Sequence, residues 1–418
     1  MFHIRYIKIT IEMNIVHINH SDNIGGAAIA AYRLCTAMKR QGLNSKMLVY
    51  RNLRQNDSMV ETLLKNKRQL VLHQIRIRIE KMIIKFLFNP RRTFSIPLLG
   101  FSIHKHPLVK QADVIILHWI CSGLMTLNEL EKLLSLGKPV YWMLHDSYPF
   151  TGGCHVFGQC TKYANGCNSC SIIKNSFFNE VIKKQLQRKT EVYSKPNLYF
   201  IGPSQWIVDC ARNSLPLNNK DIYMCRNVID TNIFRPKNVK EFKKRIGLSP
   251  GKKTILFISA SIADKFKGWN FLLEALKDLP TDKYQCLILG KSDMPITTHL
   301  DTVILGYEKD DERMADIYNV GDVFVQPSLS ESFSLVVAEA MSCGVPCVGF
   351  NNTAIPGLIN HKTTGFLADN MSSKSIANGI RWICEICDYS TLSKECRLFV
   401  ENNCSFNKVK DIYSVILK

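Results

Sequence analysis

The sequence has no long apolar run, and this absence excludes one class of protein. A helix that crosses a membrane needs about 18 or more consecutive apolar residues, and no stretch of the 418 residues is that long. The first residues are too polar for an export signal, and they lack a cleavage site. We therefore expect a cytoplasmic protein, which could still bind peripherally to the inner face of the plasma membrane.

Acidic residues are also scarce. The chain has 35 Asp and Glu against 54 Lys and Arg, a formal net charge of +19, and such an excess indicates an anionic partner. Without an export signal, the 15 cysteines are expected to stay reduced and not to form disulfides. Low-complexity tracts and clear internal repeats are missing, so the composition is that of a globular chain with two or three domains.

Much of the positive charge lies between residues 65 and 92, where Glu80 is the one acidic residue. Helical spacing of apolar residues predicts a basic amphipathic helix with a stripe at Ile75, Ile79, Met82, Ile83 and Phe86. Three interpretations stay open: a solvated helix packed on its own core, a helix docked on an anionic membrane surface, or a nucleic-acid-binding helix. The segment lacks stacking aromatic residues and a known nucleic-acid-binding motif, so we expect no nucleic-acid partner.

Strand and helix patterns alternate along almost the whole chain, which is typical of α/β architecture with parallel sheets. The predicted strands of the first half are 14–19, 45–50, 113–119, 139–145, 198–202 and 222–229, and its helices include 27–40 and 124–136. The second half restarts with a strand at 253–259, followed by strands near Cys286, Val303, Val323 and Val348. The simplest architecture has two Rossmann-like parallel-sheet domains facing across a cleft, 1–232 and 233–395, with a C-terminal helix, 396–418, packing back toward the first.

Two glutamates, Glu331 and Glu339, lie between a predicted strand and a helix predicted over 335–343. Glu331 is expected in the loop, and Glu339 about one turn into the helix. Backbone N–H groups of residues 332–335 would be free at the helix start, where an anion is favoured. Carboxylates that hold hydroxyls beside N–H groups that hold phosphate suit a nucleotide-sugar. The alternative is a capping glutamate before an ordinary surface helix.

Polar and flexible residues also follow the strands of the first half. Gly25 and Gly26 let the backbone turn and approach a ligand closely, although an ordinary helix start is the alternative. The chain lacks the G-x-G-x-x-G pattern here, so a nicotinamide or flavin cofactor is not expected. His118 and His145 end neighbouring strands, and we expect both imidazoles to face the cleft.

Two lysines follow the first strand of the second half. Lys265 and Lys267 lie between that strand and a helix predicted over 271–279, a position suited to pairing with a diphosphate. A solvated lysine pair is the alternative.

Four cysteines lie close together in the loop 150–172: Cys154, Cys160, Cys167 and Cys170. Their spacing favours a structural zinc site that would fold the loop, with free thiols or an iron–sulfur cluster as alternatives. Four protein ligands leave no open position, so a catalytic zinc is not expected. Cys384 and Cys387, on a predicted helix, are expected to pack in the core.

Taken together, these segments resemble the retaining glycosyltransferases of family 4, which have the GT-B fold. The matching points are the Gly25-Gly26 loop, His145, 203–206, 227–230, 234–236, Lys267-Gly268, Glu331 to Glu339, Pro346 and 364–367. They run from residue 13 to about 410 of the printed sequence. The cysteine loop with 151–155 resembles a subgroup that makes colanic-acid-type or other surface polysaccharides.

The resemblance implies a role for each matching residue. Glu339 would bind the ribose, Glu331 would contact the donor sugar near the transferred carbon, and His145 would contact the same sugar. Lys267 would neutralise the departing diphosphate, and the loop residues next to the donor would be Phe333, Ser334 and Leu335. No catalytic metal is implied, because cationic side chains and helix N-termini stabilise the charge.

The implied function is transfer of a sugar, with retention, from a UDP- or GDP-sugar to a lipid-linked oligosaccharide in bacterial surface polysaccharide biosynthesis. Two positions depart from the family pattern: Ser261 replaces a phosphate-binding Arg, unless Lys265 supplies that contact, and Gly357 replaces a Glu near the donor. A GT-B sugar-nucleotide epimerase and a non-catalytic GT-B binding module are therefore kept as alternatives.

Overall fold

The computed structural model describes residues 13–416, except 55–56, 65, 89–93, 171, 176–178 and 293–294. Two parallel sheets, one of seven strands and one of six, form its framework. No helix in these described ranges has the length and apolar character needed to cross a membrane. The predicted α/β class, with two parallel-sheet domains, is confirmed.

The N-terminal sheet has the spatial order β3-β2-β1-β4-β5-β6-β7. Its strands are β1 (Asn14–Ser21), β2 (Asn44–Arg51), β3 (Val60–Thr62), β4 (Val114–Leu117), β5 (Val140–Met143), β6 (Leu198–Gly202) and β7 (Ile222–Met224). Its helices are α1 (Gly26–Arg40), α2 (Lys67–Leu87), α3 (Pro107–Gln111), α4 (Leu127–Leu134), α5 (Asn179–Tyr193) and α6 (Gln205–Arg212). The strand order reverses at β1, and in such sheets ligands bind at this switch point.

The C-terminal sheet has the spatial order β10-β9-β8-β11-β12-β13. Its strands are β8 (Lys253–Ser261), β9 (Tyr284–Lys291), β10 (Asp301–Leu305), β11 (Val323–Gln326), β12 (Cys347–Phe350) and β13 (Gly365–Ala368). The helices that follow the N-terminal sheet are α7 (Lys240–Arg245), α8 (Trp269–Leu276), α9 (Asp311–Asn319), α10 (Leu335–Ser342), α11 (Ser373–Arg381), α12 (Tyr389–Cys404) and α13 (Val409–Ile416), with a π-helical turn at Trp382–Ile386.

Both sheets are covered by helices on both faces, so their strands bury successive apolar residues. All four residues of β4 are buried, and apolar clusters lie on either side of each sheet. Several predicted bounds differ from the structure by a few residues, and two of these differences have a visible cause. Helix α4 begins at 127 and not 124, because Thr126 caps it by accepting a hydrogen bond from the Glu129 N–H. Strand β7 ends at Met224 and not at 229, because Ile229 pairs with Ser405.

Residues 396–418 were predicted as one helix, but their described part belongs to two. Ser405 has an extended backbone that ends α12, and α13 begins four residues later. Helix α12 packs on α10 of the C-terminal domain. Helix α13 packs on the N-terminal core, where Val409 and Ile412 are buried and the Tyr141 hydroxyl donates to the Val415 carbonyl at 3.3 Å.

The basic helix α2 packs on the N-terminal domain through a mixed face, whose apolar members are Leu70, Ile84 and Leu87. His73 and Glu80 are buried under it, and Arg76 donates to the Gly100 carbonyl at 3.0 Å. The apolar stripe faces outward instead, and its exposed members are Val71, Leu72, Ile75, Ile79, Met82 and Phe86. Helix α2 therefore packs on the protein's own core, as one interpretation expects, but through a face other than the predicted stripe, of which Ile75, Ile79, Met82 and Phe86 stay exposed.

Candidate functional site

A cavity of about 710 Å³ lies between the two domains, at the carboxyl ends of their strands. Its volume is in the range typical of sites for small ligands, about 300–1,000 Å³. Among the predicted site residues, those that line it are Gly25, Gly26, His145, Lys267, Glu331, Phe333, Ser334, Leu335 and Glu339. Lys265 is exposed and does not line the cavity. Folding therefore brings together residues that are up to 314 positions apart in sequence, the separation between Gly25 and Glu339.

The Gly25-Gly26 turn forms part of the N-terminal wall. Gly25 has a φ of 84°, in the left-handed region that favours glycine, and α1 begins at the next residue. Across the cleft, the Leu335 Cδ1 atom would lie 3.9 Å from a Cβ added at Gly26. The turn therefore brings the α1 backbone against the start of α10.

His145 follows β5 and lines the cavity. Its Nε2 atom is 2.8 Å from Nδ1 of His118. Burial lowers the pKa of His145 to about 4, although the neighbouring Asp146 opposes the shift, so the ring is neutral at physiological pH. The expectation that His118 also faces the cleft is wrong: its side chain is buried and does not line the cavity, because the His145 ring lies between them and contacts it.

Lys267 and Glu331 form an ion pair on the C-terminal wall, with Nζ 2.8 Å from Oε1. Lys267 lies in the turn after β8, and Glu331 in the loop after β11. Burial opposes the charge on Lys267, but the Glu331 carboxylate outweighs it and raises the pKa of the lysine. A cation is therefore held at the cleft, paired with the carboxylate that the resemblance assigns to the donor sugar.

Glu339 lies on α10, and both its carboxylate oxygens accept hydrogen bonds. Arg33 donates to Oε1 at 2.6 Å and the Tyr318 hydroxyl donates to Oε2 at 2.6 Å. Arg33 also pairs with Asp311 at 3.2 Å. Burial opposes the charge on Arg33, but these two carboxylates raise its pKa. Each Glu339 oxygen keeps one lone pair that a hydroxyl could use.

Arg33 is a site residue that sequence reasoning missed. A signal for it existed, because Gly26 and Arg33 are seven residues apart, about two helical turns, and so lie on one face of α1. Arg33 therefore reaches the same cleft as the glycine turn and contributes a charge from the N-terminal domain.

The loop before α10 has a strained and open conformation. Ser334 has a φ of 75°, which is uncommon for a residue other than glycine. Its hydroxyl oxygen is buried and has no hydrogen-bond partner among the described residues. Phe333 is buried and anchors the loop in the core, and the Ser332 hydroxyl donates to the His145 carbonyl across the cleft at 2.6 Å. Such strained loops cluster at functional sites.

The four clustered cysteines do not lie in one equivalent environment. Cys154, Cys167 and Cys170 pack against one apolar cluster, and Cys160 packs against another. In the part of the chain that the structure describes, no three His, Cys, Asp or Glu side chains are arranged to hold a metal ion. Structural zinc in this loop stays a prediction. None of the fifteen cysteines, all of which the structure describes, forms a disulfide.

Four further residues singled out in the sequence, Cys384, Cys387, Ser261 and Gly357, lie outside the cavity. Cys384 and Cys387 pack against the core, as expected. The two positions that depart from the family pattern, Ser261 and Gly357, do not line the cavity.

Residues 239–396 match the protein family described as "Glycosyl transferases group 1". The C-terminal part of the chain therefore contains a group 1 glycosyltransferase domain. A structure of the Anabaena protein HepE in complex with UDP-glucose superposes with a TM-score of 0.65 at 15% identity, covering 97% of this chain and 99% of that one. The fold is GT-B, as predicted.

Two relatives are similar in sequence. The chain is 30% identical over 168 residues to N-acetyl-alpha-D-glucosaminyl L-malate synthase of Bacillus anthracis, covering 38% of this chain and 43% of that protein. The chain thus spans less than half the length of that relative. It is 25% identical over 365 residues to the putative colanic acid biosynthesis glycosyl transferase WcaC of Escherichia coli (strain K12), covering 82% of this chain and 84% of WcaC.

Proposed function

We propose that this protein transfers a sugar from a nucleotide-sugar donor, with retention of anomeric configuration, to a lipid-linked glycan in bacterial surface polysaccharide biosynthesis. The observation that carries the proposal is the interdomain cavity, whose C-terminal wall combines Lys267, Glu331 and Glu339 with the start of α10. The names of WcaC and of HepE with UDP-glucose support the pathway and the donor class.

Each group on this wall suits one part of the donor. Glu339 has a spare lone pair on each oxygen for the ribose hydroxyls. Free N–H groups at the start of α10 and the Lys267 ammonium suit the diphosphate. Glu331 then accepts hydroxyls of the donor sugar. When the diphosphate binds, Lys267 gains a second anionic partner besides Glu331.

In the transfer that we propose, the anomeric configuration is retained. The bond between the anomeric carbon and the diphosphate oxygen breaks, and the acceptor oxygen forms its bond to that carbon on the same face. The acceptor hydroxyl passes its proton to the departing diphosphate oxygen. Lys267 and the α10 N–H groups stabilise the negative charge that develops on the diphosphate.

The donor can be identified by a thermal-shift screen of UDP-, GDP- and ADP-sugars, because a bound donor raises the melting temperature by mass action. We expect a UDP- or GDP-sugar to stabilise the protein. Incubation of that donor with lipid-linked acceptor extracted from bacterial membranes should move the sugar into the lipid fraction, with the anomeric configuration retained. Release of an altered free sugar-nucleotide would indicate the epimerase instead. Binding without transfer or hydrolysis would indicate the binding module.

We further propose that α2 docks the protein on anionic lipid. Its outward face exposes Met82 by 67% and Phe86 by 72%. Exposed basic residues flank this apolar stripe at Lys67, Arg68, Arg78, Lys81 and Lys85. A basic helix with an exposed apolar face suits the headgroup region of an anionic membrane. Docking there would bring the cleft to a lipid-linked acceptor.

Flotation with vesicles tests this docking. We expect binding to phosphatidylglycerol vesicles and little binding to phosphatidylcholine, with raised salt weakening the interaction. The double variant Met82→Asp with Phe86→Asp should weaken binding more than about tenfold, because each buried apolar side chain contributes about 1.5–3 kcal/mol. Ile386→Asp is the matched control, since Ile386 is 71% exposed on the other domain. Equal binding by both variants would refute docking through α2.

A further inference from the structure

Three histidine rings form a continuous hydrogen-bonded chain behind the cleft. His17 Nδ1 is 3.0 Å from His118 Nε2, and His118 Nδ1 is 2.8 Å from His145 Nε2. Neighbouring rings are stacked, with centroids 5.3 and 5.1 Å apart. His17 lies inside β1, His118 follows β4 and His145 follows β5, so three adjacent strands supply one ring each. The chain therefore runs from the sheet interior to the cavity.

The histidine farthest from the cavity, His17, determines which nitrogen of each ring carries the proton. A neutral imidazole carries one N–H, and its other nitrogen is an acceptor. The Nε2 atom of His17 is buried without a hydrogen-bond partner among the described residues. A buried N–H without a partner is rarer in proteins than a buried acceptor without one. Nε2 of His17 is therefore unprotonated, and the His17 proton lies on Nδ1.

The position of the His17 proton determines the positions of the protons on the other two rings. His17 Nδ1–H donates to His118 Nε2, so the His118 proton must lie on Nδ1. His118 Nδ1–H then donates to His145 Nε2, which leaves the His145 proton on Nδ1. No hydrogen bond from Nδ1 of His145 to another described residue is present, and His145 lines the cavity.

All three rings are neutral, as this order requires. Burial lowers the pKa of His17 to about 3 and that of His145 to about 4. Burial, with the two neighbouring rings, also lowers the pKa of His118 well below its ordinary value. The charged group beside the chain is Asp146, whose carboxylate accepts from His155 at 2.6 Å and so leaves the order of the protons unchanged.

We propose that His17 and His118 are positioning residues that hold the proton of His145 on Nδ1, so that His145 presents a hydrogen-bond donor to the cleft. The group it recognises is an oxygen acceptor of the bound donor, a sugar hydroxyl or a diphosphate oxygen. This inference rests on the proposed transferase function for its role, but the position of the proton is a property of the free protein.

Nitrogen-15 NMR of histidine-labelled protein tests the position of the proton without any substrate. The protein has 11 histidines, and the His145 signals are identified by their loss in His145→Gln. We expect a protonated Nδ1 and a bare Nε2 at His145, and the same form at His118 and His17. A protonated Nε2 on His145 would overturn the proposal, whether or not the protein transfers sugar.

Two substitutions of His118 by side chains of nearly the same shape test whether this residue positions the His145 proton. The amide of Asn lies where the ring has Nδ1, so His118→Asn keeps a donor toward His145, whereas His118→Leu has the same shape without a donor. We expect kcat/KM for the nucleotide-sugar to fall about 10–100-fold more in His118→Leu than in His118→Asn. The His145 proton should stay on Nδ1 in the Asn variant and leave it in the Leu variant.

The outcomes separate this proposal from the proposed function. Equal activity and the same His145 form in both variants would overturn the positioning role. Absence of transfer by the unaltered protein would refute the proposed function, while the NMR result would still decide the proton position. If neither variant folds, the spectrum of the unaltered protein decides.

Discussion

The two walls of the cleft use different chemistry. The C-terminal wall has formal charges, an ion pair between Lys267 and Glu331 and a carboxylate at Glu339. The N-terminal wall has glycine backbone and a neutral ring, His145, with Arg33 reaching across to Glu339. We propose a division of work between the walls: Lys267 and Glu339 hold the anionic nucleotide, and the donor sugar lies between Glu331 of one wall and the neutral His145 of the other.

The largest effect should come from removing the cation of the charged wall. Lys267→Ala should lower kcat by about 10²–10³-fold, because the diphosphate then leaves without its positive partner. Lys265→Ala is the matched control, since that lysine lies two residues away, is exposed and does not line the cavity. Steady-state transfer assays measure both. Equal losses in the two variants would remove the distinction between a site lysine and a surface lysine.

A smaller loss of activity is expected from a change at Glu339, the carboxylate proposed to bind the ribose. Glu339→Gln keeps the size of the side chain but weakens charged hydrogen bonds, so kcat/KM for the donor should fall about 10–100-fold. Isothermal titration with the nucleoside diphosphate should show the same loss in binding. Glu312→Gln is the control, because Glu312 is exposed and pairs with Lys237 outside the cavity. Unchanged binding in the Glu339 variant would contradict its assignment to the nucleotide.

Acid should destabilise the N-terminal domain before the other. Burial is the main cause that lowers the pKa of His17 to about 3 and those of His20, His73 and His145 to about 4. Above about pH 6.5, the ordinary pKa of histidine in an unfolded chain, these rings are neutral in both the folded and the unfolded state. As the pH falls from there toward 4, only the unfolded state binds protons at these rings. Each ring therefore lowers the free energy of unfolding by about 1.4 kcal/mol per pH unit.

Hydrogen exchange at pH 7 and pH 5.5, corrected for the intrinsic rates, measures this difference. We expect β1, β4 and β5 to lose more protection than β8, β9 and β11. In the C-terminal domain, the lowered histidine pKa belongs to His361, which is exposed. Equal loss of protection in both sheets would contradict the comparison.

The smallest effect is expected at the strained residue of the loop. Ser334→Gly should raise the free energy of unfolding by about 1 kcal/mol, because glycine adopts a positive φ without steric cost. The same change removes the unpaired hydroxyl of a residue that lines the cavity, so donor binding should weaken by about threefold to tenfold. Urea unfolding and donor titration test both parts. A destabilised Ser334→Gly would show that the loop is not strained.

The two walls also differ in how far the sequence predicts them. Glu331, Glu339 and Lys267 lie in short motifs between a strand and a helix, so local patterns are enough to find them. The α/β class follows likewise from alternating apolar runs. The contact of Arg33 with Glu339 depends on how the two domains face each other, although helical spacing after Gly26 places Arg33 on the right side of α1. The His17–His118 contact depends on which strands become neighbours, and the order of strands is not encoded in local periodicity.

Helix α2 shows a second limit of the sequence. Periodicity locates its apolar stripe, but it does not say which side faces the protein. His73 and Glu80 are buried on the inward face beside Leu70, Ile84 and Leu87, so the stripe faces outward. The exposed stripe is the reason for assigning a membrane role to this helix.

A crystal structure with the nucleotide-sugar that stabilises the protein most would test the central claim directly. The account predicts the ribose at Glu339, the diphosphate at Lys267 and the start of α10, and a donor oxygen within hydrogen-bond distance of His145 Nδ1. A nucleotide bound outside the interdomain cavity, or bound there without contact to Lys267 and Glu339, would contradict it.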